Sequence, residues 1–85
     1  MKKSFLVQML GYWGRGATIQ EAALNCSKAG ASGKDITVID LFTNPTTEPE
    51  PRITSGGMMY EAAAGSDRIR IAKGIKLSVL LKLTE

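Results

Sequence analysis

The sequence has no histidine, and its one cysteine, Cys26, has no second thiol to pair with. Within a single chain this excludes a Cys/His zinc site, a Ser-His or Cys-His nucleophilic pair, and a disulfide. A lone unpaired thiol matches the usage of a reducing compartment, so a cytoplasmic location is expected. Long apolar runs are also missing, since no stretch approaches the roughly 18 residues that cross a bilayer. Lys2 and Lys3 precede an apolar stretch that Gln8 interrupts and that runs into Gly11 instead of a small-residue cleavage site. Neither an export signal nor a membrane partner is expected. No cofactor fingerprint is present either: the glycines at 11, 14 and 16 do not follow the dinucleotide spacing, and no Gly-Lys-Ser/Thr phosphate loop occurs. The expectation is a protein with no catalytic residues, no metal and no cofactor.

What remains is an ordinary globular composition. The chain has 85 residues, of which 44% are hydrophobic and 22% charged. That length forms one core, and a thin one, because a chain this small buries only about 60–65% of its unfolded surface. Residues 1–13 read as one strand with apolar side chains on both faces, the pattern of a central position. After a Gly-rich connector, Thr18-Ile19-Gln20-Glu21 has the capping-box pattern, in which the Thr hydroxyl accepts from the Glu21 amide. A helix therefore starts at Ile19. Ile19, Ala22, Ala23, Cys26 and Ala29 recur at helical spacing as a narrow stripe that lets a helix lie close on a sheet. Lys28 suits the negative end of the helix, and Gly30 supplies a left-handed stop.

Residues 35–42 are rich in β-branched and apolar side chains, broken only by Asp40, and read as a buried strand. Residues 43–51 hold all three prolines. They read as an exposed loop that continues neither ladder nor helix. Residues 52–55 and 58–61 are strand candidates. The alternation of 68–71, a turn at Lys73-Gly74 and the alternation of 75–83 predict a terminal β-hairpin. The expected fold is one α+β domain: β-α-β followed by an antiparallel meander, with one helix packed on one face of a small mixed sheet. The other face is then either solvated or covered by a partner.

Charge is segregated along the chain. Residues 1–34 carry five bases against Glu21, residues 35–67 carry Arg52 against six acids, and residues 68–85 carry five bases against Glu85, giving +4, −5 and +4. Arg68 and Arg70 share one face of the expected hairpin, and Lys76 and Lys82 the outward face of its second strand, a basic strip able to touch phosphates. The plainer reading is that these cations keep a sheet face soluble and an edge strand unpaired. Nucleic-acid binding is the alternative function, not the leading one, because the dense cation clusters and interleaved aromatics of nucleic-acid binders are missing.

A second candidate lies where Tyr12, Trp13, Arg15 and Gly16 lead into the helix, since amides at a helix start hold anions. Their plainer reading is a tight turn with aromatics closing the core. Asp40 is the acid expected to be partly buried with a raised pKa, and no second acid converges on it for acid-base work.

The segment 14–25 resembles the helix-opening segment of HicB-like antitoxins, with Gly16, Thr18, Glu21, Ala22 and Asn25 at the matching positions. The resemblance implies a partial RNase H-like core that binds a small RNase toxin, often beside a DNA-binding module. Chains of that family place a hairpin ahead of the segment, where the present reading has one strand. Apolar residues on both strand faces, with one helix to cover them, point to a small non-enzymatic interaction module. It is expected to self-associate, with a dimer favoured, or to bind a protein partner, as an accessory protein of bacteria or mobile elements.

Overall fold

The computed structural model describes residues 4–42, 50–55, 57–61 and 68–82. Its first element departs from expectation. In place of one strand through Trp13, β1 (Ser4–Met9) and β2 (Tyr12–Gly16) form an antiparallel hairpin in which Met9 faces Tyr12. The reversal occurs at Leu10 and Gly11, and Gly11 has φ +85°. A residue without Cβ adopts that angle without strain, so Gly11 turns the chain where any larger residue would resist. A continuous strand of 13 residues would also be more than twice the usual length.

The helix α1 (Ile19–Lys28) forms as read, with Thr18 extended at its N-cap and its Oγ1 accepting from the Glu21 amide at 3.1 Å. Gly30, at φ +125°, follows its end. Ala22, Ala23 and Cys26 are fully buried, and α1 lies across β2 and β1. The close approach comes from the strand as well as the helix. A Cβ on Gly14 would stand 2.7 Å from the Asn25 carbonyl carbon and closer still to the Cys26 amide nitrogen and the Ala22 oxygen. A Cβ on Gly16 would meet the Glu21 side chain at 2.6 Å. These two glycines let the helix backbone rest on the strand backbone.

The strand β3 (Val38–Phe42) pairs antiparallel with β1, and β6 (Arg68–Lys73) pairs antiparallel with β3, giving the order β2-β1-β3-β6. The α+β class holds, with helices packed on a small sheet. Its pairing is antiparallel throughout, where a mixed sheet was expected, because β2 supplies the strand parallel to β3 and β1 lies between them. Between β3 and β6 the register shifts by one residue, so Ile71 has no opposite number on β3.

The expected terminal hairpin is not formed. Residues 75 and 76 are irregular and α2 (Leu77–Lys82) follows, with Leu77 and Leu80 buried. Leu77, Leu80 and Leu81 stand at helical spacing, which outweighs the alternation around them once the chain leaves the sheet at Gly74, φ +84°. The Gly74 amide donates to Thr37 O and the Leu77 amide to Lys34 O, tying this corner to the approach to β3. Val7, Met9, Ile39, the Ala22, Ala23 and Cys26 part of the α1 stripe, Leu77 and Leu80 make one core between the sheet and the two helices, while Ala29, read as the last member of the stripe, is exposed beyond the helix end.

The other sheet face meets a separate two-stranded sheet, β4 (Glu50–Thr54) paired with β5 (Gly57–Glu61). The Tyr60 amide donates to Gln8 Oε1 at 2.9 Å, and the Tyr60 and Trp13 rings lie 6.4 Å apart. This face was expected to be solvated or covered by a partner, but the chain lays its own hairpin against it. Residues 50 and 51, assigned to the proline-rich loop, belong to β4, where Pro51 faces Tyr60. A two-stranded sheet tolerates it because each strand has a free edge that needs no donor. The rest of that loop, residues 43–49, lies outside the described residues.

Candidate interaction surface

The four residues proposed to hold an anion or ligand do not form one site. They lie within β2, where alternate side chains face opposite ways. Gly16, like Gly14, faces α1, and Tyr12 packs beside Gly30 on that side. Tyr12 also borders an open depression of about 300 Å³ with Leu10, Lys34, Asp35 and Ile36. Trp13 and Arg15 face the β4–β5 side. The Arg15 guanidinium stands 5.3 Å over the Phe42 ring, its Nε donates to Ser4 Oγ at 3.4 Å, and burial draws its pKa below the ordinary value.

The matched HicB-like positions each have a local structural task. Gly16 admits the Glu21 side chain, Thr18 caps the helix, Ala22 is buried, and the Asn25 side-chain Nδ2 donates to Arg15 O at 2.6 Å. Together they fasten a capped helix onto the neighbouring strand.

The cations read as a basic strip are dispersed. Arg68 and Arg70 lie opposite Phe42 and Asp40 on the face away from the helices. Their Nε atoms stand 3.9 and 3.5 Å from the Asp40 carboxylate, which is 0% exposed. Burial raises the Asp40 carboxyl above its ordinary range, and the two arginines draw it part of the way back. Its Oδ2 accepts no hydrogen bond among the described residues, and neither arginine is close enough for a strong pair. Lys76 pairs instead with Asp35 at 3.6 Å, and Lys82 ends α2 on the helix side of the sheet. Among the described residues no cluster of three acids or thiols gathers that holds a metal.

One surface does bring together features that the sequence reading kept apart. Among the described residues β6 pairs on its β3 side alone, and none of them pairs with its other edge. At the opposite end of the sheet, β2 is overlaid by α1, and Asn25 takes the Arg15 carbonyl. Along β6 the side chains alternate: Arg68 and Arg70 on one face, Ile69 on the other beside Leu41. Ile69 is 59% exposed and Ile71 48%. Ile71 also walls a groove of about 280 Å³ with Ile19, Ile39, Ala72, Ile75 and Leu80, between the start of α1, β6 and α2. The groove lies where α1 rests on the β1–β2 half of the sheet and the short α2 packs against α1.

Ile69 and Ile71 carry a signal in the sequence, the Arg-Ile-Arg-Ile alternation, whose cations alone suggest a binding strip. The groove itself needed α2, which period-two patterning concealed.

Comparison with protein-family models, with curated proteins and with solved structures found no match for the chain. Among the described residues no helix is long and apolar enough to cross a membrane.

Proposed function

We propose that this chain is a small non-enzymatic interaction module that self-associates as a dimer through β6 and the groove beside it. The observation that carries the reading is the β6 edge that none of the described residues pairs with, with Ile69 and Ile71 both about half exposed. An open edge offers a row of unsatisfied amides and carbonyls, and neighbouring apolar side chains add a hydrophobic gain when another strand is laid on it. Pairing two β6 strands antiparallel with Arg70 on the two-fold axis sets each Ile69 across from the partner's Ile71. Such apolar cross-strand pairs contribute about 0.2–1 kcal/mol each beyond the backbone pairing.

Light scattering coupled to size-exclusion chromatography tests this. The wild type is expected to show a dimer mass at high micromolar concentration. The double variant Ile69→Lys plus Ile71→Lys is expected to be a folded monomer, because both side chains are half exposed in the single chain. A wild type that stays monomeric at that concentration refutes self-association.

A second reading, a HicB-like antitoxin core, is supported by the β1–β2 hairpin, whose second strand runs through residues 14–16 into α1, close to the layout that the resemblance implies. Co-expression with a neighbouring RNase-like gene product discriminates the two readings. A stable complex that suppresses RNase activity favours the antitoxin, and no complex removes it.

A further inference from the structure

The charge around β6 distinguishes between occupants. Residues 68–82 contain Arg68, Arg70, Lys73, Lys76 and Lys82 and no acid. Asp40 lies buried beneath the first two, and Asp35 is engaged with Lys76. A second copy therefore brings Arg68, Arg70 and Lys73 of its β6 against the same three cations, whereas an acidic strand meets them with opposite sign. We infer that β6 and its groove accept an extended acidic segment of another protein as a fifth strand, displacing the second copy. This rests on the reading of β6 as a docking edge.

The alternation of β6 specifies the segment. Side chains opposite one another in an antiparallel pair lie on the same sheet face, so alternate positions of the guest stand beside Arg68 and Arg70 and the positions between stand beside Ile69. The guest thus needs acids at every second residue and apolar side chains between them. The irregular register at Ile71 directs its side chain into the groove, and a guest apolar residue packs there against Ile71 and Ile75. Main-chain pairing supplies affinity, while charge and groove supply selection.

The test titrates the intact protein with synthetic eight-residue peptides while following amide NMR shifts and fluorescence anisotropy. An alternating Glu/Val peptide is expected to shift the β6 amides together with Ile19 and Ile75, and to bind at least tenfold more tightly than alternating Lys/Val. Its affinity falls by tenfold or more between about 50 and about 500 mM salt, because exposed charges are screened. Lys73→Glu and Ile71→Ser each weaken it at least fivefold, whereas Val79→Ser, on the exposed side of α2, leaves it unchanged. Equal binding of the Lys/Val peptide, an affinity indifferent to salt, or shifts centred on β4–β5 overturn the inference. So does an oligonucleotide that competes with equal affinity, since β6 is then a plain polyanion surface. If the peptide fails while the dimer forms, the docking edge stands and its acidic occupant is refuted; if neither occurs, both readings fall.

Discussion

Gly14→Ala adds one methyl group at the point where α1 rests on β2. The new Cβ would lie 2.7 Å from the Asn25 carbonyl carbon and nearer still to two other α1 backbone atoms, none able to rotate away. Such atoms sit comfortably at about 3.5–4 Å, so the helix must withdraw by roughly 1 Å. A gap of that size forfeits about a quarter to a half of the dispersion energy of the contacts it opens. Those contacts include the fully buried Ala22, Ala23 and Cys26. Gly14 does not have a positive φ, so replacing glycine here gains about 0.4–1 kcal/mol by restricting the unfolded chain. Overpacking costs about 1–3 kcal/mol, here at the upper end because backbone is displaced, and we expect a net loss of about 2 kcal/mol. A domain of this length has about 4–13 kcal/mol in all. At about 4–8 °C per kcal/mol, thermal unfolding followed by circular dichroism should show a fall of ~8–16 °C. Gly33→Ala is the control: with φ +60° and open space around it, it tests backbone strain alone and should lose only about 1 kcal/mol. If Gly14→Ala melts within about 2 °C of wild type, the backbone-on-backbone docking of α1 is refuted.

The buried Asp40 gives a pH prediction of defined sign. Its carboxyl binds a proton more tightly folded than unfolded, so its stabilising contribution is present in full below the ordinary carboxylate range and is lost as pH rises through the raised folded value. Asp40→Asn should therefore melt no lower than wild type at neutral pH, with the difference moving in favour of wild type as pH falls; a clear loss at neutral pH, or a pH-independent difference, contradicts this. Cys26 is fully buried and its thiol is pushed up to about 11, so a chromogenic disulfide should leave it unmodified at pH near 8 until denaturant is added. Thr18→Ala removes the acceptor of the Glu21 amide and should cost about 1 kcal/mol in chemical denaturation, whereas Thr18→Ser should retain most of the stability.

Where local chemistry decides, the fold was legible in the sequence. The capping box, the small-residue stripe and Gly30 placed α1 to the residue at its start, and the β-branched run around Asp40 located β3. The errors came where two periods competed over short lengths. Leu10 and Gly11 interrupt an apolar run that looks continuous, and a hairpin is specified there by Gly11 alone. In 75–83 the leucines satisfy alternation and helical spacing about equally, and the outcome depends on docking Leu77 and Leu80 against α1 and Ile39, a tertiary contact that no local window contains. The cations of the candidate strip were all visible, but their partners Asp40 and Asp35 are remote in sequence from Arg68, Arg70 and Lys76. The split of Tyr12, Trp13, Arg15 and Gly16 between two faces follows from the alternation of β2, which a strand ending at Trp13 and a Gly-rich connector after it do not predict.

The central claim is that the chain self-associates through β6, and molar mass measured by light scattering across a concentration series at about 50 and about 500 mM salt tests it most directly. Like charges on the two β6–α2 segments repel, so the account predicts a dimer whose formation strengthens as salt rises and which Ile69→Lys plus Ile71→Lys abolishes. A strict monomer at every concentration and both salt levels, or a dimer that the double variant leaves intact, would contradict it.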